Sequence, residues 1–119
     1  MHVGVSMHEL GIVFEVLRVV DRFVVENGLS QVGKIVLEIG QLSQAIPRFI
    51  EECYPAAVAG TAYEGTELEI VVVPALGVCG QCQVEYNVVE RRKICPSCGA
   101  GRFTLQSGQE FIIKEVVAC

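Results

Sequence analysis

The sequence predicts an α/β fold in which two helices accompany a small sheet of about three strands, with a four-cysteine module inserted into the chain. Three observations support this prediction. Apolar residues recur at helical spacing over residues 10–24, and apolar, strand-like segments follow at 31–42, 67–73 and 110–117. Two Cys-x-x-Cys pairs stand between the second and the third of these segments.

The first helix is predicted to start after Ser6 and to end at Gly28. Ser6 and Glu9 have the spacing of a capping box, in which Ser6 is the N-cap and Glu9 reaches back to it. The apolar residues behind them form a stripe: Leu10, Val13, Phe14, Leu17, Val20 and Val24. We expect this stripe to pack against the sheet. A swapped dimer would bury the same residues, so the sequence leaves both a monomer and a homodimer open.

The first strand is predicted over residues 31–42. Val36 interrupts its alternation of apolar and polar residues, so both faces of the strand are expected to be partly covered. A second helix is predicted to begin at Pro47, a residue suited to the first helical turn, and to run to Ala59. Pro55 lies inside this helix and is expected to bend or shorten it.

Two further strands are predicted on either side of the cysteine module, at residues 67–73 and 110–117, and these strands can pair antiparallel. The predicted domains follow from this arrangement. Residues 1–75 and 108–119 form an α/β domain, and residues 76–107 form the inserted module.

Cys79, Cys82, Cys95 and Cys98 form two hooks that are separated by twelve residues. Two such hooks offer four soft sulfur ligands to one tetrahedral ion, as a structural zinc site requires. The module has few apolar residues, so we expect Zn²⁺ to act as its core and to contribute on the order of 10–16 kcal/mol to its folding. The alternatives are two disulfides or two redox-active pairs. The hooks favour a zinc-ribbon-like module.

Length and composition limit the classes of protein to which this chain can belong. With 119 residues, the chain has room for one domain or for one domain with a small module. The apolar fraction of 51% and the mean hydropathy of +0.46 are high, and indicate either a face covered by a partner or valine-rich strands. We find neither a transmembrane run nor the features of a signal peptide, and expect no membrane partner. Metal-spaced cysteines predict reduced thiols and a cytoplasmic protein.

The charge balance argues against a nucleic-acid partner. The formal net charge is −5, and four thiolates with one Zn²⁺ would bring it to about −7. Basic side chains outnumber acidic ones between residues 79 and 102, but the negative zinc–thiolate centre offsets that excess. A nucleic-acid-binding module is expected to keep a clear positive charge.

The two histidines, His2 and His8, each follow a methionine near the N-terminus. An exposed histidine is ordinarily just a solvated side chain. Next to a free α-amine, however, an imidazole and the neighbouring backbone amides offer a nitrogen-rich planar set of ligands. Ni²⁺ and Cu²⁺ favour that geometry.

The segment Met7-His8-Glu9-Leu10-Gly11-Ile12, followed by a helix, resembles the N-terminal signature of the HypA/HybF family of nickel chaperones, which serve [NiFe]-hydrogenase maturation. Residues 34–40 and 65–70 and the two cysteine hooks also resemble that family. The resemblance implies a nickel domain of α/β type and a zinc domain. It also implies that His8 and Glu9 hold Ni²⁺, which is delivered to the hydrogenase large subunit with a partner GTPase and, in some organisms, to urease.

The chain departs from the family pattern in one place, because six residues precede Met7, where the family motif normally begins. Either Met7 is the natural start, or Met1 is the start and His2 becomes a further candidate ligand. The sequence leaves both open.

The sequence shows no catalytic serine or cysteine paired with a nearby histidine base, so we predict that the protein is not an enzyme. The predicted function is that of a nickel metallochaperone. The alternatives from other classes are a zinc-ribbon adaptor that holds two proteins together, and a thiol oxidoreductase that uses Cys79 with Cys82 or Cys95 with Cys98.

Overall fold

The computed structural model describes residues 7–119 of the chain. Over these residues it contains two helices and six strands: α1 (Met7–Glu26), β1 (Val32–Gly40), α2 (Pro47–Val58), β2 (Glu67–Val73), β3 (Leu76–Cys79), β4 (Glu85–Asn87), β5 (Phe103–Leu105) and β6 (Phe111–Ala118). The predicted fold class is confirmed. None of the helices found within residues 7–119 has the length and apolar character needed to cross a membrane.

The strands form two three-stranded sheets, in the orders β2-β1-β6 and β4-β3-β5. The prediction that the strands flanking the cysteine module pair with each other is therefore wrong, because β1 lies between β2 and β6. The reason is burial. Ile35, Val36, Leu37 and Ile39 of β1 are all at most 4% exposed, so this strand is covered on both faces and takes the central position.

Helix α1 buries one apolar stripe, as predicted, but the stripe differs from the predicted one at Phe14 and Val16. Val13, Leu17 and Val20 are buried as expected. Phe14 is instead 52% exposed, and Val16 is buried in its place. Successive residues are about 100° apart around a helix, so a stripe centred on Val13, Leu17 and Val20 turns Phe14 towards solvent.

The ends of the helices follow the predicted signals. Gly28 has a φ of 63° and ends α1, and the amide of Leu29 donates to the carbonyl of Val24 at 3.0 Å. Pro47 opens α2, which runs through Pro55 and ends at Val58, one residue before the predicted end. The predicted capping box at the start of α1 depends on Ser6, which lies outside the described residues.

The chain divides into two compact units. One comprises the chain up to Leu37 together with Ala45–Val71 and Ile112–Cys119, and the other comprises Glu38–Gln44 with Val72–Phe111. In the first unit α1 contacts α2. The second unit contains the β4-β3-β5 sheet and all four hook cysteines. The domain boundaries after residues 75 and 107 stay a prediction.

Candidate metal sites

The four hook cysteines converge on one point. The sulfurs of Cys79, Cys82, Cys95 and Cys98 all lie within 4.8 Å of one another. Close separations join the two hooks, at 3.5 Å between Cys79 Sγ and Cys98 Sγ and 3.6 Å between Cys82 Sγ and Cys95 Sγ. A tetrahedral ion with metal–sulfur bonds of about 2.3 Å places its sulfurs about 3.8 Å apart. A disulfide needs about 2.05 Å. The arrangement therefore fits a single tetrahedral ion and not two disulfides.

Backbone amides in each hook point at the first sulfur. Cys79 Sγ accepts hydrogen bonds from the amides of Gln81 and Cys82 at 3.3 and 3.4 Å, and Cys95 Sγ accepts one from the amide of Ser97 at 3.4 Å. The Arg102 side chain packs close over the first hook, because a Cβ on Gly80 would lie 2.7 Å from its Nε and would have to displace it. The chain therefore bends tightly enough for both sulfurs of a hook to face inward.

These amides favour the thiolate form, which is the form that binds metal. The amide of Cys82, followed by that of Gln81, lowers the pKa of the Cys79 thiol to about 6. Burial opposes ionisation at Cys95, but amides in its hook outweigh it and lower the pKa of that thiol as well. At Cys98 the amide of Ala100 favours the thiolate, but the neighbouring sulfurs, Cys79 foremost, raise the pKa to about 12. A divalent cation would remove this repulsion, since it neutralises the charge that the four sulfurs share.

A small apolar core surrounds the hooks, contrary to the expectation that a metal would be the only core of the module. It consists of buried residues with partly buried neighbours: Ala75, Cys79, Tyr86, Val88 and Cys95, with Val84, Ala100, Phe103 and Leu105. The rings of Tyr86 and Phe103 meet edge to face at 6.3 Å. The hydroxyl of Tyr86 is buried and has no hydrogen-bond partner among residues 7–119. Sequence reasoning missed this core, because its members are spread over a loop-rich segment with little periodicity.

His8 and Glu9 lie in the first turn of α1 but in different surroundings. His8 is exposed, whereas Glu9 is only 3% exposed. The carboxylate oxygen Oε2 of Glu9 accepts a hydrogen bond from the backbone amide of Ile46 at 3.2 Å. Of the two predicted nickel ligands, one is accessible to an arriving ion and the other is engaged inside the protein. His2, the third candidate, lies outside the described residues.

The contact between Glu9 and Ile46 was not predicted, although the sequence carries a signal for it. Helix α2 starts at Pro47, and its N-cap residue is Ile46. The side chain of Ile46 makes no capping hydrogen bond. Ser, Thr, Asp and Asn are the preferred residues at this position. An isoleucine at this position leaves room for an acceptor from elsewhere in the chain, but the sequence does not reveal which residue supplies it.

A family model described as hydrogenase/urease nickel incorporation, metallochaperone, HypA matches residues 7–118. The chain belongs to the HypA family. The match includes His8, Glu9 and both cysteine hooks, and the six residues before Met7 lie outside it. The predicted family is confirmed, and with it the function of a nickel metallochaperone in hydrogenase maturation.

Relatives support this assignment over nearly the whole chain. The chain is 34% identical over 110 residues to the hydrogenase maturation factor HypA of Chlorobium limicola, covering 92% of this chain and 95% of the relative. It is 38% identical over 111 residues to HypA of Trichodesmium erythraeum, covering 92% and 94%.

Two solved structures share the fold. One is the solution structure of the Ni metallochaperone HypA from Helicobacter pylori, with a TM-score of 0.62, 14% identity, and coverage of 92% of this chain and 96% of that one. The other is a solution structure of HypA protein, with a TM-score of 0.66, 16% identity and coverage of 96% and 98%. At these identities the likeness concerns the fold alone.

Proposed function

We propose that this metallochaperone holds its Ni²⁺ cargo at His8 and Glu9, and that one Zn²⁺ bound by Cys79, Cys82, Cys95 and Cys98 is a permanent structural ion. The observation that carries this assignment is the contrast between the two sites. The four sulfurs converge in a small core, whereas His8 lies on the surface at the start of a helix.

Zinc suits the cysteine site for reasons of charge and geometry. Four thiolates are soft ligands, and a tetrahedral arrangement imposes no electronic penalty on Zn²⁺. The site supplies all four ligands, so it leaves no open position for a substrate, as is usual for structural zinc. Cys79 and Cys95 are buried, which would slow any exchange of the bound ion.

Nickel suits the N-terminal site because cargo must be reached by the ligands of the recipient. His8 is exposed and stands beside Met7, which is 78% exposed, so an incoming ligand has access to the imidazole. The imidazole and nearby backbone nitrogens form the nitrogen-rich set that Ni²⁺ favours. The positive end of the α1 dipole opposes a cation at this place. Binding is therefore expected to require local unwinding of the first turn, which would also ease release.

The partners follow from this function. The cargo passes to the large subunit of a [NiFe]-hydrogenase, and a maturation GTPase takes part in the transfer. Urease is a second recipient, in keeping with the description of the family. The protein binds and transfers an ion without chemical conversion, so we infer that it is not an enzyme. Six free cysteines suit the reducing cytoplasm.

Calorimetric titration of the zinc-loaded protein with Ni²⁺ tests this proposal. We expect one nickel site that is lost in His8→Ala, and retained zinc in the same variant by elemental analysis. Phe14→Ala serves as a matched control, since Phe14 is also exposed on α1, and should bind nickel normally. If the protein takes up no nickel beyond its zinc, or if His8→Ala takes it up as the unmutated protein does, the assignment of the site fails.

A further inference from the structure

The N-terminus of α2 is capped by a side chain from another helix. Ile46 is the N-cap residue, and its carbonyl accepts the amides of Phe49 and Ile50 at 2.9 and 3.0 Å. Pro47 has no amide to satisfy. The amide of Ile46 itself is bound by Oε2 of Glu9 at 3.2 Å.

This contact reproduces half of a capping box with a residue distant in sequence. In a capping box, a glutamate or glutamine at the third helical position accepts the amide of the N-cap residue. Phe49 occupies that position in α2, and its apolar side chain cannot accept a hydrogen bond from the amide of Ile46. Glu9 stands 37 residues earlier in the chain and takes over the role. Its negative charge then lies in the first turn of α1 and at the start of α2, where both helix dipoles favour it.

A nickel ion on His8 and Glu9 would need the same carboxylate. Glu9 is 3% exposed and its Oε2 accepts the amide of Ile46, so in this arrangement the carboxylate is almost wholly closed to an ion from solvent. Coordination through Glu9 therefore requires the side chain to leave its buried position, and the amide of Ile46 then loses its acceptor.

We propose that Glu9 is a positioning residue shared between the nickel site and α2: it caps α2 in the nickel-free protein, and nickel uptake withdraws it and loosens the start of α2. This inference rests on the proposed nickel site at His8 and Glu9. It gives the nickel-free and nickel-loaded proteins different structures at α2, so that occupancy of the site can be sensed away from the ion.

Hydrogen–deuterium exchange followed by mass spectrometry tests the coupling on the full, zinc-loaded chain. The reporter is a peptide that covers residues 45–50, and a peptide from the cysteine module is the internal control. With Ni²⁺ added, we expect exchange in the reporter to be about fivefold faster, as for loss of one helix cap, and no change in the control peptide. Mg²⁺ at the same concentration should change neither.

Variants separate the two roles of Glu9. Glu9→Gln keeps an oxygen that can accept the amide of Ile46 but is a poorer nickel ligand, so the reporter should stay protected with and without Ni²⁺. Glu9→Ala removes the cap, and the reporter should exchange rapidly in both states. If Glu9→Ala does not fold, Glu9→Gln and the unmutated protein still decide the question.

The outcomes are distinguishable. If Ni²⁺ binds, as calorimetry reports, and the reporter exchanges at an unchanged rate, the coupling is overturned while the nickel site stands. If His8→Ala binds nickel as tightly as the unmutated protein, the proposed site itself is overturned, and the coupling with it. The nickel site and the coupling are both supported if His8→Ala no longer binds nickel and if nickel speeds exchange in the reporter of the unmutated protein.

Discussion

The phenol hydroxyl of Tyr63 donates a hydrogen bond to Oδ1 of Asp21 at 2.9 Å and so fastens the loop after α2 to helix α1. Tyr63 is 8% exposed, and this bond joins residues 42 positions apart in the chain. Burial, followed by the adjacent Asp21 carboxylate, raises the pKa of Tyr63 to about 12.

We predict that Tyr63 makes the stability of the protein fall at alkaline pH. A tyrosine in the unfolded chain loses its proton near pH 10, whereas Tyr63 in the folded protein keeps it until about pH 12. The unfolded state binds fewer protons in that interval, so the free energy of unfolding decreases as the pH rises through it. Urea unfolding at pH 8 and at several values from about 9.5 to about 11 measures the effect.

In Tyr63→Phe the same measurement should show a shallower decline. The variant should also lose about 1 kcal/mol at pH 8, the usual worth of one hydrogen bond. Asp21→Asn is the matched control, since its amide oxygen can still accept the bond. An unchanged alkaline decline in Tyr63→Phe would contradict this account.

Cysteine variants should separate metal ligands from the other thiols. Cys82→Ser removes one of the four converging sulfurs, so we expect it to lose zinc, and the segment from Val78 to Arg102 to lose its order. Cys119→Ser alters an exposed thiol outside the cluster and should retain one zinc ion per chain. Elemental analysis gives the metal content and amide exchange reports the order. Full zinc content in Cys82→Ser would show that this residue is not a ligand.

The unpaired hydroxyl of Tyr86 should destabilise the cysteine module. A buried hydroxyl without a partner loses its hydrogen bonds to water and gains none in return. Tyr86→Phe keeps the ring contact with Phe103 and removes only the unpaired atom. The variant should therefore unfold at a higher temperature than the unmutated zinc-loaded protein.

Tyr54→Phe is the contrasting control, because the hydroxyl of Tyr54 donates to the carbonyl of Thr66 at 2.8 Å, and its loss should lower the unfolding temperature. A lower unfolding temperature for Tyr86→Phe would mean that its hydroxyl has a partner in the zinc-loaded state.

The position of the N-terminus should govern nickel affinity. A chain that starts at Met7 places a free α-amine beside His8 and adds a nitrogen ligand to the site. We predict that it binds Ni²⁺ more tightly than the chain that starts at Met1, and that His8→Ala abolishes binding in the shorter form. Calorimetry on both forms measures this. Equal affinities would indicate that the α-amine is not a ligand. His2→Ala should matter only in the longer form.

Local features were predicted well because short stretches of chain encode them. Pro47 and Gly28 mark helix ends through their own backbone restrictions, and the spacing of the cysteines restricts the sulfurs to one small volume. The family, too, could be inferred from short motifs. Burial within α1 was predicted less well, because periodicity defines a stripe but not its centre, and Phe14 lies just beyond the edge.

The sequence by itself determined the fold class, the two helices, the cysteine cluster and the family, since each depends on spacing within a short segment. Only the tertiary structure decided that β1 lies between β2 and β6 and that Glu9 meets Ile46. Both depend on contacts between distant parts of the chain. The strand order depends on which strand can be buried on both faces. The partner of Glu9 is the start of α2, because that helix has no cap of its own and contacts α1. The sequence shows that β1 is apolar and that α2 has no capping residue, but only the folded structure shows which residues they contact.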